Sequence, residues 1–153
     1  MKYFMQTAIL ESVKSVLKSG GPFGAIIVKN GKIISVGHNE VTKKLDPTAH
    51  AEIIAIRKAC KKLNTYDLSG CEIYTSSYPC SMCLSAIAWA RLKKVYYFFD
   101  IDHAHNSMFD DKEIYNFLNK KKSKIKISIK KIDFAIEEDP FEIWNKKKDK
   151  KKY

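Results

Sequence analysis

Two short motifs in this chain carry side chains that bind transition metals. His50 and Glu52 form a His-x-Glu pair, and Cys80 and Cys83 form a Cys-x-x-Cys pair directly after Pro79. One imidazole and two thiolates give zinc three protein ligands and leave the fourth tetrahedral position open, as in catalytic zinc sites. Glu52 stands close enough to the histidine to move protons at such a centre without ligating the metal. The two motifs together predict a zinc-dependent hydrolytic site.

A Cys-x-x-Cys pair also occurs in structural zinc sites and in redox couples. A structural site needs a fourth protein ligand. The spare candidates are Cys60, Cys71, His103 and His105. Cys60 follows Ile53 and Ile56 at helical spacing, which favours packing in the core. Cys71 stands just before a predicted strand, and nothing pairs it with Cys83. The joint occurrence of both motifs, in this order, favours the catalytic interpretation.

Each motif is expected to lie at the start of a helix. Asp46 is predicted to be an N-cap with Pro47 at the first helical position, opening a helix that ends near Leu63. Residues Ser81–Ala90 are almost wholly apolar and predict a second, buried helix. A helix N-terminus favours thiolate over thiol, so this placement suits cysteine ligands.

Apolar periodicity predicts the elements that surround the motifs. Tyr3–Lys18 repeats apolar residues at helical spacing, which predicts an amphipathic helix with its apolar face toward the core. That face consists of Phe4, Ala8, Leu10, Val13, Val16 and Leu17. The predicted strands are Phe23–Lys29, Lys32–Gly37, Glu72–Thr75 and Lys94–Phe99. Asn30-Gly31 joins the first two strands and predicts a type I′ hairpin, whereas the continuous apolar run of the last is typical of a central or parallel strand.

The C-terminal third contains three further predicted elements. Asp110 with Glu113 three residues later resembles a capping box and predicts a helix over Asp111–Asn119. Beyond it, the alternation in Ile125–Ile129 predicts a half-exposed edge strand. Pro140–Trp144 begins a predicted last helix that runs into a lysine-rich end.

The order of these elements predicts the fold class. The connections Thr42–Leu45 and Asp100–Phe109 are predicted to be loops. A helix, a hairpin and then strands alternating with helices indicate an α/β protein, with three α/β/α layers around a mixed central sheet. A chain of 153 residues is long enough for one such domain and short for two.

The formal charge of +11 is concentrated toward the C-terminus. Residues 120–153 hold 13 of the 28 basic residues, and Arg57 and Arg91 are the only arginines of the chain. Nucleic-acid surfaces recruit arginine, so the lysine run favours a solvated face over RNA binding. The chain contains no apolar run of transmembrane length and no signal-peptide pattern. Four cysteines, two of them assigned to metal, leave no disulfide framework, and a cytoplasmic location is expected.

With these residues in place, the chain resembles the cytidine-deaminase-like superfamily, whose zinc signature is His-x-Glu followed by Pro-Cys-x-x-Cys. Within the superfamily it resembles the small bacterial guanine deaminases, from Gly20 nearly to the end. Phe109-Asp110-Asp111 and the terminal Tyr153 are the features that single out this guanine-specific branch. Other similar stretches are Gly20–Ala25, Asp46–Glu52, Ala55–Cys60, Met82–Leu84 and Trp89–Arg91. The resemblance implies the cytidine-deaminase-like fold and hydrolytic deamination of guanine to xanthine and ammonia.

The resemblance also implies a cofactor and the residues that act beside it. Zinc would be held by His50, Cys80 and Cys83, and Glu52 would be the proton shuttle. Asp111 matches a family Asp that faces the reacting amino group, where it would assist departure of the amine.

Three more positions match residues that bind the purine base in the family. Asn39 matches the base-binding Asn, and its amide carries a donor and an acceptor side by side, which suits a purine edge. Phe23 and Trp89 match positions in the substrate pocket. Judged without the resemblance, aromatic side chains at such helix and strand positions are more often part of the core.

The terminal residue Tyr153 matches the last residue of the family. In those enzymes the C-terminal segment crosses to the partner subunit and covers its active site. The resemblance therefore implies a homodimer in which about residues 134–153 are swapped and Tyr153 closes the partner's site.

One position departs from the family, which has Glu where this chain has Tyr78 before Pro79. Tyrosine cannot supply a carboxylate, so the surroundings of the metal must be built differently.

Other functions remain open from the sequence. A tRNA adenosine deaminase would share the zinc core and fit the charge of +11, but its bacterial members carry a Gly/Ala-rich stretch where this chain has Asp100–Met108. A cytosine or nucleoside deaminase is a further alternative. A non-catalytic zinc protein that binds RNA through its lysine-rich end is disfavoured, because a structural site has no need of Glu52.

Overall fold

The computed structural model describes residues 1–107, 109, 111–119 and 121–122. Its helices are α1 (Lys2–Leu17), α2 (Val41–Lys44), α3 (Ala51–Leu63), α4 (Ser81–Trp89), α5 (Ile101–Asn106) and α6 (Asp111–Leu118). Its strands are β1 (Gly24–Lys29), β2 (Lys32–His38), β3 (Cys71–Ser77) and β4 (Lys94–Phe99). The predicted strand 125–129, the predicted last helix, the cap at Asp110, the swapped segment and Tyr153 lie outside the described residues. No helix in the described ranges has the length and apolarity needed to cross a membrane.

The described strands form a mixed sheet in the order β2-β1-β3-β4. Strand β1 runs antiparallel to both β2 and β3, whereas β3 and β4 are parallel. Asn30 and Gly31 have φ values of 49° and 71°, as a type I′ turn requires. The predicted hairpin and the predicted parallel strand are both confirmed.

Helices cover both faces of this sheet, which confirms the three-layer α/β/α architecture. Along β1 the side chains of Ile26 and Val28 pack against α1, while Ala25 and Ile27 face α3 and α4. Both faces of the strand are buried, so its sequence is a continuous apolar run rather than an alternation. Helices α3 and α4, which begin directly after the two metal motifs, share one side of the sheet.

The predicted apolar face of α1 is confirmed at Phe4 and Ala8, which belong to the core cluster of Ile26 and Val28, but is wrong over the second half of the helix. Its buried residues are Ala8, Glu11, Ser12 and Ser15, whereas Leu10, Val13, Val16 and Leu17 are exposed. The cause is close packing, because a Cβ atom on Gly24 would lie 2.2 Å from the backbone oxygen of Ala8. At Gly24 the helix lies so close to the strand that no large side chain fits between the two backbones, and Leu10, Val13, Val16 and Leu17 lie outside the contact.

Helix α3 begins four residues later than predicted, although its predicted end at Leu63 is correct. The Oδ1 atom of Asp46 accepts hydrogen bonds from the backbone N–H of Thr48 at 2.8 Å and from its hydroxyl at 2.7 Å. Asp46 therefore closes a local turn, as Asp often does in loops, and is not a helix cap. The N-cap is instead His50, in extended conformation with φ −67° and ψ 157°.

Both segments predicted as loops contain a short helix. Helix α2 replaces the first, and a salt bridge of 2.6 Å between Lys44 Nζ and Glu40 Oε2 spans its single turn. Helix α5 replaces most of the second and begins after Asp100, which is in extended conformation. Apolar periodicity could not identify these two helices, because one or two helical turns contain too few residues to show a repeat.

Helix α4 is less buried than its apolar sequence predicted. Its buried residues are Cys83 and Ile87, whereas Trp89 is 62% exposed. Strand β4, the last strand of the described sheet, likewise exposes Tyr97 and Phe98. An apolar sequence shows that a face can be buried, but the neighbouring elements decide whether it is.

A glycine in β2 sets the distance between α3 and the sheet. A Cβ atom on Gly37 would lie 2.2 Å from the backbone oxygen of Ala51 and 2.7 Å from the backbone nitrogen of Ala55. The hydroxyl of Ser35 donates a 2.7 Å hydrogen bond to the carbonyl oxygen of Ala55 on the same helix. The first turns of α3, which follow His50, are thereby held directly on β2.

We expect Gly37→Ala to lower the free energy of unfolding by about 3 kcal/mol, because the added methyl group meets backbone that cannot rotate away. Chemical denaturation measures this loss. Gly70→Ala is the matched control, since Gly70 has φ 78° but open space around it and should cost only about 1 kcal/mol. Equal losses in the two variants would mean that α3 can move off β2 at little cost.

Candidate metal centre

Three potential ligands converge at the start of α3 and α4. The Nδ1 atom of His50 lies 3.6 Å from the Sγ atom of Cys80 and 3.7 Å from that of Cys83. All three donor atoms lie within 4.8 Å of one another. The structure thus brings together the predicted ligands, from positions 30 and 33 residues apart.

The spacing of these atoms fits zinc. Tetrahedral coordination, with Zn–S bonds of about 2.3 Å and Zn–N bonds of about 2.0 Å, separates nitrogen and sulfur by about 3.5 Å. Hydrogen bonds from Cys83 and His50 lower the pKa of the Cys80 thiol to about 4, which favours the thiolate form that binds zinc. Three donors in the described part of the chain leave one tetrahedral position for a small molecule.

The two halves of the site have the same local geometry. His50 and Cys80 are the N-cap residues of α3 and α4, and both are extended, with ψ values of 157° and 169°. Cys83 lies in the first turn of α4, so both sulfurs face the positive end of that helix dipole. Ile53 on α3 packs against both cysteines, which fixes the two helix starts side by side.

Glu52 is buried beside the metal ligands, with 4% of its surface exposed. Burial raises the pKa of this carboxyl, because its charged form loses hydration. Its Oε1 atom lies 3.1 Å from the hydroxyl oxygen of Thr75, which is also 3.1 Å from the carbonyl oxygen of Ser77. Such a carboxyl can take up, hold and release a proton.

Sequence reasoning did not identify Thr75 as a partner of Glu52. The available signal is the polar run of residues 75–77, which ends an apolar strand just before Pro79-Cys80. Polar side chains at the end of a buried strand of an α/β sheet are well placed to reach a site at that edge.

A cavity of about 390 Å³ opens beside the ligands. Its lining residues are Ser19, Gly20, Gly21, Phe23, Asn39, Val41, Thr42, His50, Glu52, Tyr78, Cys80, Phe109 and Asp111. The volume suits a small molecule. Among the described residues that line it, two side chains carry carboxyl groups and none is Lys or Arg.

Asn39 enters this cavity with its amide oxygen already engaged. The Oδ1 atom accepts hydrogen bonds from the backbone N–H groups of Gly21 at 3.4 Å and Val41 at 3.3 Å. Both lone pairs are then used, and the amide nitrogen with its two N–H donors is what remains for a ligand. The expectation that a donor and an acceptor act side by side is therefore revised to donors alone.

Aromatic rings form two walls of the cavity. Phe23 and Phe109 meet edge to face with ring centroids 4.9 Å apart. Tyr78 packs edge to face on Tyr97 at 5.1 Å. The residue that departs from the family pattern, Tyr78, thus contributes an aromatic surface rather than a carboxylate.

Helix α6 places Asp111 at the cavity of its own chain. Its position is fixed by Tyr115, whose hydroxyl donates a 3.1 Å hydrogen bond to the carbonyl oxygen of Pro79. Burial raises the pKa of the Tyr115 phenol to about 12, so it remains a donor at neutral pH. Sequence reasoning gave Tyr115 no role, since its partner is 36 residues away.

Trp89 is not brought to this cavity. It borders a separate surface groove together with Ile53, Ile56, Cys60 and Tyr66. The predicted pocket role of Trp89 therefore has no counterpart within one chain, whereas Phe23, Asn39 and Asp111 do line the cavity with Glu52.

Comparison with known proteins gives a consistent picture. Residues 1–99 match the family described as the cytidine and deoxycytidylate deaminase zinc-binding region. The chain is 48% identical to the guanine deaminase of Bacillus subtilis (strain 168) over 88% of this chain and 86% of that protein. A crystal structure of guanine deaminase from Bacillus subtilis superposes with a TM-score of 0.93 at 44% identity, covering 99% of this chain and 98% of that one. The tRNA-specific adenosine deaminase of Aquifex aeolicus (strain VF5) is 43% identical over 77% of this chain and 76% of its own.

We expect Cys83→Ala to reduce the bound zinc per chain at least about tenfold and to remove catalytic activity with it, because two ligands hold zinc poorly. Elemental analysis of the purified protein measures this change. Cys60→Ala is the matched control, since Cys60 is a free cysteine outside the donor cluster and its variant should keep full zinc. Stoichiometric zinc in Cys83→Ala would contradict the assignment.

Proposed function

Because the chain belongs to the cytidine and deoxycytidylate deaminase zinc-binding family, we propose that it hydrolyses guanine to xanthine and ammonia. The observation that carries this proposal is the cavity beside His50, Cys80 and Cys83, which Glu52, Asn39 and Asp111 line together. High identity to a guanine deaminase over nearly the full length supports guanine as the substrate.

Zinc is the proposed cofactor, and at this site it would supply a Lewis acid that makes water a nucleophile near neutral pH. Glu52 takes up the proton that the attacking water loses, and its raised pKa lets the carboxyl hold that proton in the buried site. Glu52 delivers this proton to the ring nitrogen, takes the second proton from the hydroxyl now bonded to the amino-bearing carbon, and passes it to the amine, which leaves as ammonia while the carbonyl forms. The hydroxyl of Thr75 stays within 3.1 Å of the Glu52 carboxyl and steadies it.

Asn39 and Asp111 orient the base. Guanine carries acceptor atoms on its edge, among them N7 and O6, and the free N–H donors of Asn39 are suited to them. The carboxylate of Asp111 can accept from the exocyclic amino group that leaves. Phe23 and Phe109 provide apolar surface against which a flat ring can pack.

The charge of the cavity favours a neutral base over a phosphate-bearing substrate. Among the described residues, its lining contributes carboxyl groups from Glu52 and Asp111 and no Lys or Arg side chain. A phosphate in this cavity would find no Lys or Arg side chain to pair with in the described lining. This local feature supports a free base such as guanine at the site, although the total charge of +11 would also suit RNA.

A direct test incubates the purified zinc protein with guanine, adenine, cytosine, their nucleosides and a tRNA anticodon stem-loop, and measures ammonia. We expect guanine to react and to depend weakly on salt, since it has no phosphates. An RNA substrate would lose affinity steeply, by about 0.7–0.9 log units per log unit of salt for each phosphate contact. Deamination of the stem-loop with guanine ignored would overturn the proposal.

The variant Glu52→Gln separates loss of proton transfer from loss of zinc binding. It keeps the shape of the side chain but cannot accept a proton, so turnover should fall by roughly two to four orders of magnitude. Zinc content should stay at the wild-type level.

We further propose that the enzyme acts as a domain-swapped homodimer in the cytoplasm, with about residues 134–153 crossing to the partner. The resemblance to small guanine deaminases suggests that Tyr153 closes the partner's site. Exposed apolar side chains such as Leu17 and Trp89 support association with further protein surface. A reducing compartment would also keep Cys80 and Cys83 free to bind metal.

We expect a chain cut after Lys152 to keep zinc and lose most guanine turnover, because closure excludes water from the reacting base. Mixing this truncated chain with the Glu52→Gln chain should partly restore activity, since one site of a mixed dimer has an intact Glu52 under an intact Tyr153. Turnover of the mixture against each variant alone is the measurement. Mixed dimers that form but stay inactive would contradict the swap.

A further inference from the structure

Asn39 is held from behind by the first helix of the chain. Its backbone oxygen accepts a 3.0 Å hydrogen bond from the hydroxyl of Ser15, which lies 24 residues earlier. We propose that Ser15 is a positioning residue, which fixes Asn39 so that its amide N–H donors face the substrate. This proposal rests on the proposed function at one point, which is that Asn39 binds the substrate base.

The environment of Ser15 supports a specific contact. Its side chain is fully buried at 0% exposure, and its hydroxyl leaves its own helix to reach Asn39. Ser12, one turn earlier, is also buried, but its hydroxyl donates to the carbonyl oxygen of Ile9 within α1 at 2.7 Å. Serines inside helices commonly bond back to their own backbone in this way. Ser15 makes the long-range contact instead.

The space around this contact admits no additional atom. A Cβ atom on Gly20 would lie 2.5 Å from the hydroxyl oxygen of Ser15 and 2.6 Å from the backbone oxygen of Asn39. The chain reverses direction immediately before, at Ser19 with φ 61°, and the N–H of Gly20 donates to the carbonyl oxygen of Ser15 at 2.8 Å. Gly20 is therefore required for the close approach of the two residues.

The same turn holds the side chain of Asn39 as well as its backbone. Gly21 donates its N–H to Oδ1 at 3.4 Å, while the N–H of Asn39 donates to the carbonyl oxygen of Phe23 at 3.0 Å. The backbone oxygen, the backbone nitrogen and the amide oxygen are thus all tied to residues 15–23. With these fixed, the direction of the two amide N–H donors toward the cavity is set before substrate arrives, which lowers the ordering cost of binding.

This role explains why the buried face of α1 carries serine. An apolar residue at position 15 would pack against the sheet but would leave the backbone oxygen of Asn39 without its donor. Placing a polar side chain there costs stability unless it is hydrogen-bonded, and Asn39 is the partner that satisfies it.

The test compares Ser15→Ala with Ser12→Ala as the matched control on the same buried face. We expect Ser15→Ala to raise KM about tenfold with kcat changed less than about threefold, because loss of a positioned binding group affects substrate and transition state alike. Ser12→Ala should leave both constants near wild type, and both variants should keep full zinc. The assay uses whichever base the wild type deaminates fastest. If that base is not guanine, the proposed substrate is wrong, but the comparison of Ser15→Ala with Ser12→Ala still tests the role of Ser15.

A double-mutant cycle separates positioning from general destabilisation. In an Asn39→Ala background the effect of Ser15→Ala on kcat/KM should disappear, since no amide is left to orient. Gly20→Ala perturbs the same contact without changing Ser15 and should raise KM in the same direction. An effect of Ser15→Ala that persists undiminished without the Asn39 amide, or that equals that of Ser12→Ala, would overturn the proposal.

Discussion

The approach of one imidazole nitrogen to two sulfurs, at 3.6 and 3.7 Å, is the constraint on which the rest of this structure depends. The donors come from the starts of two different helices, so α3 and α4 must begin side by side on the same face of the sheet. Gly37 allows α3 to lie directly on β2, and Ile53 packs between the helix starts. The fold thereby holds the donors at the spacing that a tetrahedral metal requires.

Around this cluster the electrostatics favour proton transfer on a neutral ligand. Burial raises the pKa of the Glu52 carboxyl, while hydrogen bonds from Cys83 and His50 lower the pKa of the Cys80 thiol. The pKa values of two groups in the same centre are thus shifted in opposite directions by their surroundings, and perturbed pKa values of this kind are common at catalytic sites. In the part of the chain that the structure describes, the cavity beside them is lined by aromatic rings and carboxyl groups, with no Lys or Arg side chain.

The far side of the sheet also serves the site. The second half of helix α1 contributes no apolar face, because the helix lies too close to β1 at Gly24 for large side chains to fit between. Ser15 in this half instead reaches the turn that carries Asn39. Helix α6 has the same function at the opposite rim, where Tyr115 binds the backbone at Pro79 and brings Asp111 to the cavity. The recognition side chains are therefore supported by elements that never touch the metal.

The amino-acid sequence by itself determined the donor set at His50, Cys80 and Cys83 and the hairpin at Asn30-Gly31, because these features depend on residue types at short, fixed spacings. The mixed α/β/α architecture followed from the order of the predicted helices and strands along the chain, which limits how they can be layered. Only the tertiary structure decided that His50 presents Nδ1, that the amide oxygen of Asn39 is already bonded, and that Trp89 lies away from the cavity. These outcomes depend on partners that meet only when the chain is folded, such as Ser15 with Asn39 or Glu52 with Thr75, 24 and 23 residues apart. Helical spacing on α1 indicated which residues share a face, but only contact with the sheet decided which face is buried.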